Sequence, residues 1–252
     1  MSGHSKWHSI RHTKGKLDAQ RGKLFTRLTR DIIIAAKSGG GNPDANITLR
    51  AAITRAREAS MPQDNIKRAI ARGTGEGDGA HYETLTYEGY GPGGVAILVD
   101  CLTDNKQRTV SDIRAFFNKN GGRLAESGSV SYLFTPKGVI IVDPGVSTEE
   151  AVTEAAIEGG AEDIQPTEDG GFEITTAPAD LAVVQQALEA AKIKYASAEQ
   201  TMIPTTTVPL AGKEANQVLR LVDMLEDHDD VQTVYANFDI PESELEAAEA
   251  GR

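Results

Sequence analysis

Three histidines near the N-terminus have a spacing that suits metal binding. His4, His8 and His12 stand four residues apart, so they would share one face if the segment were helical, and imidazole is a common ligand of transition metals. The same segment contains Gly3 and several serines, and no nearby carboxylate or cysteine completes a site. We therefore predict solvated or RNA-contacting imidazoles here, and neither a metal nor a cofactor.

The segment "GYGPGG" satisfies the spacing G-x-G-x-x-G through Gly89, Gly91 and Gly94. A dinucleotide site of this kind needs a helix after the glycines, so that phosphate meets the helix N-terminus. Here the apolar segment "VAILVDC" follows, which is typical of a strand. We predict a tight β-hairpin at this position and no nucleotide site.

Two further groups look reactive in isolation. Cys101 lies within an apolar strand pattern and is predicted to be a buried small hydrophobe. The acidic segment "EDHDD" at residues 226–230 lacks the spacing and glycine of a calcium loop, and is predicted to be an exposed helix end. Since no catalytic triad, carboxylate dyad or phosphate loop is found either, we predict that the protein is not an enzyme.

Positive charge is concentrated at one end of the chain. Residues 1–77 contain 15 Lys and Arg against 6 Asp and Glu, whereas residues 78–252 contain 11 against 31, for a formal net charge of −11. Such asymmetry indicates a basic part that binds nucleic acid or another anionic surface. The alternative interpretation is a solvated helical face with spare cations.

The basic end combines cations with the only tryptophan of the chain. Lys and Arg side chains bind phosphates and release counterions, and an exposed Trp7 beside them would stack on an unpaired base. The alternative is that Trp7 anchors the N-terminal arm to the rest of the fold. The candidate nucleic-acid-binding residues are Lys6, Trp7, Arg11, Lys14, Lys16, Arg21, Lys23, Arg27, Arg30, Arg50, Arg55, Arg57, Lys67, Arg68 and Arg72.

Helical periodicity follows a flexible N-terminal arm. Apolar residues recur at steps of three, four and seven from residue 16 until "SGGGNPD" ends the first helix. A second helix, "ANITLRAAITRAREA", is predicted to bury a face that includes Ile47. A third, short helix is predicted with Ser60 as its N-cap and Gly73 as its stop. Three helices joined by short turns predict a small basic bundle.

Strand patterns begin after the glycine-rich segment "GTGEGDGA". Residues 137–204 show the order β-α-β-β-α-β of a ferredoxin-like unit. The predicted fold class is therefore α+β multidomain, with an N-terminal three-helix bundle followed by two α+β domains, one of them a ferredoxin-like βαββαβ insert. The predicted divisions are 1–79 for arm and bundle, 80–135 with 205–240 for a discontinuous domain, 136–204 for the insert and 241–252 for a frayed acidic tail.

Composition sets the class of protein. With 252 residues, 39% apolar and 25% charged, the chain is typical of a soluble protein of about two domains. One cysteine excludes an internal disulfide framework. No apolar run is long enough to span a bilayer, and no signal peptide is recognised. We expect a cytoplasmic protein without a membrane partner.

Five separated segments resemble the YebC/PmpR family, which includes the mitochondrial translational activator of cytochrome oxidase. They are "GHSKWHSIRHTKGKLDAQRGKLFTRL", "MPQDNIKRAI", "YEGYGPGGVAILVD", "LTDNKQRTVSDIR" and "GSVSYLF". The resemblance spans nearly the whole chain and implies a cytoplasmic protein of one helical bundle and two α+β domains, without catalytic residues. Members of that family are described as DNA-binding transcriptional regulators, while some relatives act in translation and relieve ribosomes stalled on proline-rich stretches.

Three hypotheses of function follow. A duplex-DNA regulator would use the second and third helices with their polar and basic side chains. A ribosome-bound translation factor would hold ribosomal RNA with the arm and bundle. An acidic scaffold for protein interactions would leave the basic end without a role. The charge pattern favours the first two, so we predict a nucleic-acid-binding regulator of gene expression with DNA or ribosomal RNA as partner, association with the ribosome as the alternative, and no small-molecule substrate.

Overall fold

A computed structural model confirms the α+β class: helices come first, and two separate four-stranded sheets follow. The structure describes residues 17–75, 82–167, 169–241 and 243–245, with side chains from residue 24 onward. The helices are α1 (Leu17–Gly39), α2 (Ile47–Glu58), α3 (Gln63–Gly73), α4 (Lys106–Lys119), α5 (Glu149–Glu158), α6 (Leu181–Ala190) and α7 (Gly212–Glu226). The strands are β1 (Glu83–Tyr90), β2 (Ala96–Thr103), β3 (Arg123–Leu124), β4 (Phe134–Val142), β5 (Asp163–Pro166), β6 (Phe172–Thr176), β7 (Ser197–Pro204), β8 (Val208–Pro209), β9 (Val231–Ala236) and β10 (Phe238–Asp239).

Helices α1, α2 and α3 pack around one apolar core. Leu28, Ile32, Ala35 and Ala36 of α1 are all buried, at the steps of three, four and eight residues that place side chains on one helix face. The turn between α1 and α2 is fixed by Asn46, whose side chain caps α2 and also donates to the carbonyls of Ala35 and Gly40. None of the helices in the described part of the chain is long and apolar enough to cross a membrane.

The first sheet has the strand order β3-β1-β2-β9. Its central strand β2 is buried on both faces, which explains the continuous apolar run in the sequence. Ile97, Val99 and Cys101 point into a core formed with α4 and α7, and Ala96 and Leu98 point to the opposite face. The sheet therefore joins residues near 83–124 to residues 231–236, across more than 100 positions of sequence.

The second sheet has the order β5-β6-β4-β7 and is antiparallel throughout. Helices α5 and α6 share a buried core with its strands. This arrangement gives the expected ferredoxin-like order β4-α5-β5-β6-α6-β7. The segment that leads into this sheet is not extended from its start: Ser131–Leu133 is a short 3-10 turn, and β4 begins at Phe134, which pairs with Pro204. The expected division between residues 135 and 136 thus falls inside β4.

The loop before β4 is held by a buried glutamate. Glu88 on β1 is 5% exposed, and its carboxylate accepts hydrogen bonds from the backbone N–H groups of Gly128, Val130 and Ser131 at 2.7, 2.7 and 3.0 Å. Burial alone raises the pKa of Glu88, but these three hydrogen bonds outweigh burial and hold the pKa below its ordinary value. One carboxylate therefore fixes the path of the chain into the second sheet.

The segment expected to be a frayed tail is ordered at its start. Residues 243–245 form one helical turn, and Leu245 is fully buried in the core shared by α4, α7 and the first sheet. Glu244 accepts a hydrogen bond from the backbone N–H of Gly212 at the start of α7. Apolar contact at Leu245 explains this difference, since one buried leucine stabilises a fold by about 1.5–3 kcal/mol.

Candidate nucleic-acid interface

Some of the predicted nucleic-acid-binding residues lie outside the part of the chain that the structure describes. These are Lys6, Trp7, Arg11, Lys14 and Lys16, so their predicted roles remain predictions. Arg21 and Lys23 lie within the first two turns of α1. The remaining predicted residues lie on α1, α2 and α3, and they divide into cations that bind the protein itself and cations that face outward.

Arg27 and Arg30 on α1 bind the first sheet domain. Arg27 Nη2 donates to the main-chain carbonyl of Glu226 at the end of α7. Arg30 Nη2 forms an ion pair with Asp230 Oδ1 at 3.0 Å, and the two side chains are 12% and 2% exposed. The guanidinium of Arg30 also lies 5.9 Å from the ring centroid of Tyr82. The contacts to Glu226 and Asp230 join the bundle to residues about 200 positions away.

Asp230 is the centre of a polar network beneath α1. Its second carboxylate oxygen accepts hydrogen bonds from Arg108 Nη2 at 2.8 Å, Thr109 Oγ1 at 2.8 Å and Thr103 Oγ1 at 3.3 Å. Burial by itself raises the pKa of Asp230, but the hydrogen bonds and the charges of Arg108 and Arg30 hold the pKa below its ordinary value. The carboxylate is therefore ionised at neutral pH and fully partnered.

This network corrects the interpretation of "EDHDD" as an exposed helix end. Asp227 and Asp229 are exposed, but Glu226 is 6% and Asp230 1% exposed. Asp230 is buried because it directly precedes β9, the strand that pairs with the centre of the first sheet. Sequence analysis missed its role, and the one available signal was its position immediately before an apolar strand.

Two outward arginines are held in place by neutral oxygens. Arg50 on α2 donates to the main-chain carbonyls of Pro43 and Asp44 at 3.0 and 2.8 Å. Arg68 on α3 donates to the main-chain carbonyl of Asp64 at 3.2 Å and to the side-chain oxygen of Asn65 at 3.1 Å. Since no carboxylate pairs with either guanidinium in the described part of the chain, both positions keep their full positive charge.

Three further cations extend from the same helices. Arg57, Lys67 and Arg72 are exposed and have no ion-pair or hydrogen-bond partner among the described residues. Arg55 differs, because it pairs with Asp31 on α1 at 3.4 Å. Burial raises the pKa of Asp31, and the charges of Arg55 and Arg27 oppose that rise. We call the uncompensated set the basic face of the bundle: Arg50, Arg57, Lys67, Arg68 and Arg72.

The glycine motif forms the predicted hairpin, and Cys101 is buried as predicted. β1 and β2 pair as an antiparallel hairpin, closed by a bond from Gly91 N–H to the Val95 carbonyl at 2.7 Å. Gly93 and Gly94 adopt φ of 68° and 81°, a region that favours glycine. Cys101 is fully buried, and burial together with Asp100 and Asp230 raises the pKa of its thiol to about 12. A thiol with this pKa is a poor nucleophile at neutral pH.

His4, His8 and His12 lie outside the described residues, so their predicted solvation is untested. Within residues 17–75, 82–167, 169–241 and 243–245, no group of three or more His, Cys, Asp or Glu side chains is placed to hold a metal ion.

Two family models match most of the chain. The TACO1/YebC protein N-terminal domain matches residues 5–76, and the TACO1/YebC second and third domain matches residues 82–238. The first match contains α1, α2 and α3, and the second contains both sheets.

Similar proteins come from several bacteria. A probable transcriptional regulatory protein of Pelotomaculum thermopropionicum is 54% identical over 242 residues, which is 95% of this chain and 99% of the relative. One from Moorella thermoacetica is 55% identical over 243 residues, 96% of each chain. The crystal structure of a conserved hypothetical protein from Aquifex aeolicus has a TM-score of 0.80 and 48% identity, and the match covers 90% of this chain and 94% of that one.

Proposed function

Because the chain belongs to the TACO1/YebC family, we propose that it is a non-enzymatic regulator of gene expression that binds nucleic acid through the basic face of its bundle. One observation carries this proposal: five cations on α2 and α3 have no acidic partner among the described residues, in a chain of net charge −11. The name probable transcriptional regulatory protein, given to several relatives, supports the same class. A cytoplasmic location is part of the proposal.

The proposed binding mode follows from how the cations are held. Arg50 and Arg68 are oriented by neutral oxygens, so each loses little conformational entropy when a phosphate binds its remaining N–H groups. Arg57, Lys67 and Arg72 have no such contacts among the described residues; the two arginines can bind phosphates with two parallel N–H groups, and Lys67 can bind them as a point charge. Arg27, Arg30 and Arg55 are assigned to contacts within the protein instead.

We expect replacement of Arg57, Lys67 and Arg72 by alanine to reduce the salt dependence of binding. Each phosphate contact contributes about 0.9 to the slope of log K against log salt for duplex DNA and about 0.7 for single strands. The triple variant should therefore lose about two to three units of slope and bind all sequences more weakly. Fluorescence anisotropy with a labelled duplex DNA and a labelled ribosomal RNA hairpin, at several salt concentrations, measures both quantities.

A matched control removes three exposed cations elsewhere. Lys119, Lys194 and Lys213 are exposed and have no partner among the described residues, so Lys119→Ala, Lys194→Ala and Lys213→Ala change the net charge equally. This control should keep the wild-type slope. An equal loss of slope in both triple variants would mean that only net charge matters, and would reject the basic face as the binding surface.

The choice of nucleic acid separates the two versions of the proposal. A DNA-binding transcriptional regulator should prefer the duplex DNA, and a ribosome-associated factor should prefer ribosomal RNA and sediment with ribosomes until RNase is added. The alternative function, relief of stalling on proline-rich stretches, gains support only from the second result. No measurable binding to either nucleic acid would reject the proposal in both versions.

Replacement of Trp7 tests independently whether the N-terminal arm contacts RNA. If Trp7 stacks on a base, Trp7→Ala should lower RNA affinity roughly five- to a hundredfold without a change in salt slope, because stacking contributes about 1–3 kcal/mol per base. If Trp7 instead anchors the arm to the fold, the variant should melt at a lower temperature. Thermal denaturation and binding measured on the same sample distinguish these outcomes, and unchanged affinity in a stable variant would contradict stacking.

A further inference from the structure

Arg68 on α3 is held by two oxygens along one edge of its guanidinium. Its Nε donates to the main-chain carbonyl of Asp64 at 3.2 Å, and its Nη2 donates to the side-chain oxygen of Asn65 at 3.1 Å. A guanidinium has five N–H groups in one plane, so these two bonds leave three N–H groups on Nη1 and Nη2. The side chain is exposed, and no further partner binds it among the described residues.

Arg50 on α2 is held through the same edge of its guanidinium. Its Nε and Nη2 donate to the main-chain carbonyls of Pro43 and Asp44 at 3.0 and 2.8 Å. The turn that carries these carbonyls is fixed by Asn42, whose side-chain oxygen accepts from the Asp44 N–H at 3.0 Å. Two exposed arginines on different helices therefore leave the same outer edge, formed by Nη1 and Nη2, without a partner in the described part of the chain.

The outer edge of a guanidinium fits a phosphate group. One N–H from Nη1 and one from Nη2 point in parallel, and such a pair binds two oxygens of the same phosphate. The acceptors on the inner edge decide whether the charge is available for that contact. Arg55 and Arg108 have carboxylate partners, Asp31 at 3.4 Å and Asp230 at 2.8 Å respectively. Neutral oxygens instead fix the plane of a guanidinium without neutralising it.

Asn65 is the one side-chain acceptor among the four oxygens that hold these two arginines. It is the third residue of α3 and stands three positions before Arg68, a spacing that brings side chains together on a helix. An aspartate at this position would be favoured by the dipole at the start of the helix, but its carboxylate would pair with Arg68. The amide supplies the same oxygen and leaves the positive charge in place.

We propose that Asn65 is a positioning residue for phosphate binding. With the Asp64 carbonyl, it orients Arg68 so that Nη1 and Nη2 bind two oxygens of one backbone phosphate, and Arg50 binds a second phosphate in the same way. The inference rests on the proposed function, because it names the atoms through which the basic face binds a phosphodiester backbone. DNA and RNA share this chemical group, so the test includes both.

The test measures binding of a labelled duplex DNA and a labelled ribosomal RNA hairpin to the full-length chain, by fluorescence anisotropy at several salt concentrations. The tighter of the two identifies the source of the phosphate. Asn65→Asp places a carboxylate on the Arg68 guanidinium, so it should lower affinity about three- to tenfold and reduce the slope of log K against log salt by about one. Its melting temperature should stay the same or rise, because a carboxylate in the first turn stabilises a helix.

Thr48→Asp is the matched control for added negative charge. Thr48 is exposed in the first turn of α2, and the residues three and four positions later are Ala51 and Ala52. The new carboxylate therefore has the same charge and the same place in a helix of the bundle, but no arginine at either position. This control should lower affinity by less than about twofold and keep the wild-type slope.

A second comparison shows whether Asn65 acts through Arg68. Arg68→Ala alone should reduce the salt slope by about one. Addition of Asn65→Asp to Arg68→Ala should then change affinity by less than about twofold, because the guanidinium that the carboxylate would neutralise is already absent.

Several results would overturn the inference and leave the proposed function standing. These are equal losses of affinity in Asn65→Asp and Thr48→Asp, an effect of Asn65→Asp that persists without Arg68, or a fall in the melting temperature of Asn65→Asp that accounts for its weaker binding. Absence of binding of the wild-type chain to both nucleic acids would reject the proposed function itself, and the inference with it.

Discussion

Asp230→Ala is expected to lower the free energy of unfolding by about 3–5 kcal/mol, the range observed when one member of a buried ion pair is removed. Arg30 would then be left as a largely buried guanidinium without its anion. Thr109 would also lose its bond to the carboxylate, although its hydroxyl keeps contacts to Thr103 and to the Asn105 carbonyl. Urea denaturation followed by circular dichroism measures the change.

Asp104→Ala is the matched control for this variant. Asp104 also pairs with Arg108, at 2.9 Å, but the two side chains are 38% and 47% exposed, and such pairs contribute about 1 kcal/mol or less. If both variants lost a similar amount of unfolding free energy, the argument that burial strengthens the contribution of the Asp230 ion pairs would be wrong. Limited proteolysis adds a local measurement, because loss of the Arg30 contact should expose the junction of α1 and α7 to cleavage.

The same residue predicts how stability depends on pH. The pKa of Asp230 is depressed in the folded protein, so its contribution is fully present above the unfolded-state pKa of about 3.9 and is lost as pH falls through the folded-state pKa. Asp230→Asn should therefore be less stable than wild type at neutral pH, and the difference should shrink in acid. A constant difference from neutral to acid pH would contradict the assignment of an ionised, paired carboxylate.

Glu88→Ala is expected to lower the free energy of unfolding by about 2–4 kcal/mol. The substitution removes the acceptor of three backbone N–H groups, and each buried donor left without a partner costs about 1–3 kcal/mol. Val130, whose N–H is one of the three, is fully buried beside Ala96 and Leu98. Denaturation measures the loss, and hydrogen exchange should show reduced protection at Gly128, Val130 and Ser131.

Glu83→Ala controls for the loss of a glutamate from the same strand. Glu83 pairs with Lys106 at 3.2 Å, but the side chains are 61% and 59% exposed, so a loss below about 1 kcal/mol is expected. Unchanged exchange protection in Glu88→Ala would contradict its role in fixing the loop. Because the pKa of Glu88 is depressed in the folded protein, its contribution should be fully present above the unfolded-state pKa of about 4.3 and be lost as the pH falls through the lower folded-state pKa.

Asp230 bears on the proposed function because it holds α1 against the first sheet through Arg30. The bundle keeps its orientation relative to the first sheet through Arg27 and Arg30, so those cations are unavailable for phosphate. The basic face lies on the other two helices, where no described carboxylate competes for its charges. A variant that releases α1 should therefore change stability first and leave the salt slope of nucleic-acid binding near its wild-type value.

Local patterns in the sequence determined the order of elements. The steps of three and four residues around Leu28 and Ile32 predicted α1, and glycines at its end predicted where it stops. The same reasoning predicted the β-α-β-β-α-β order, because strand and helix periods depend on residues a few positions apart. The hairpin at Gly91 was predicted for a similar reason, since a turn is a local structure.

Fine details of these elements were less predictable. Ser60 was predicted to cap α3, but it has φ of 61° and follows the end of α2, while Pro62 precedes α3 without a side-chain cap. Ile47 was placed on the buried face of α2, but it is 79% exposed, and Leu49 occupies the core instead. Both errors arise at helix ends, where a shift of one or two residues changes which face a side chain occupies.

Only the tertiary structure decided which cations are available to a partner. A helix turns about 100° per residue, so Arg30 lies about 200° around α1 from Leu28 and faces away from the core of the bundle. The sequence therefore indicated solvent and phosphate for this position. Docking of α1 against the first sheet instead buries Arg30 on Asp230, a residue 200 positions later. No local pattern encodes that pairing, because it depends on where the chain returns after folding both sheets.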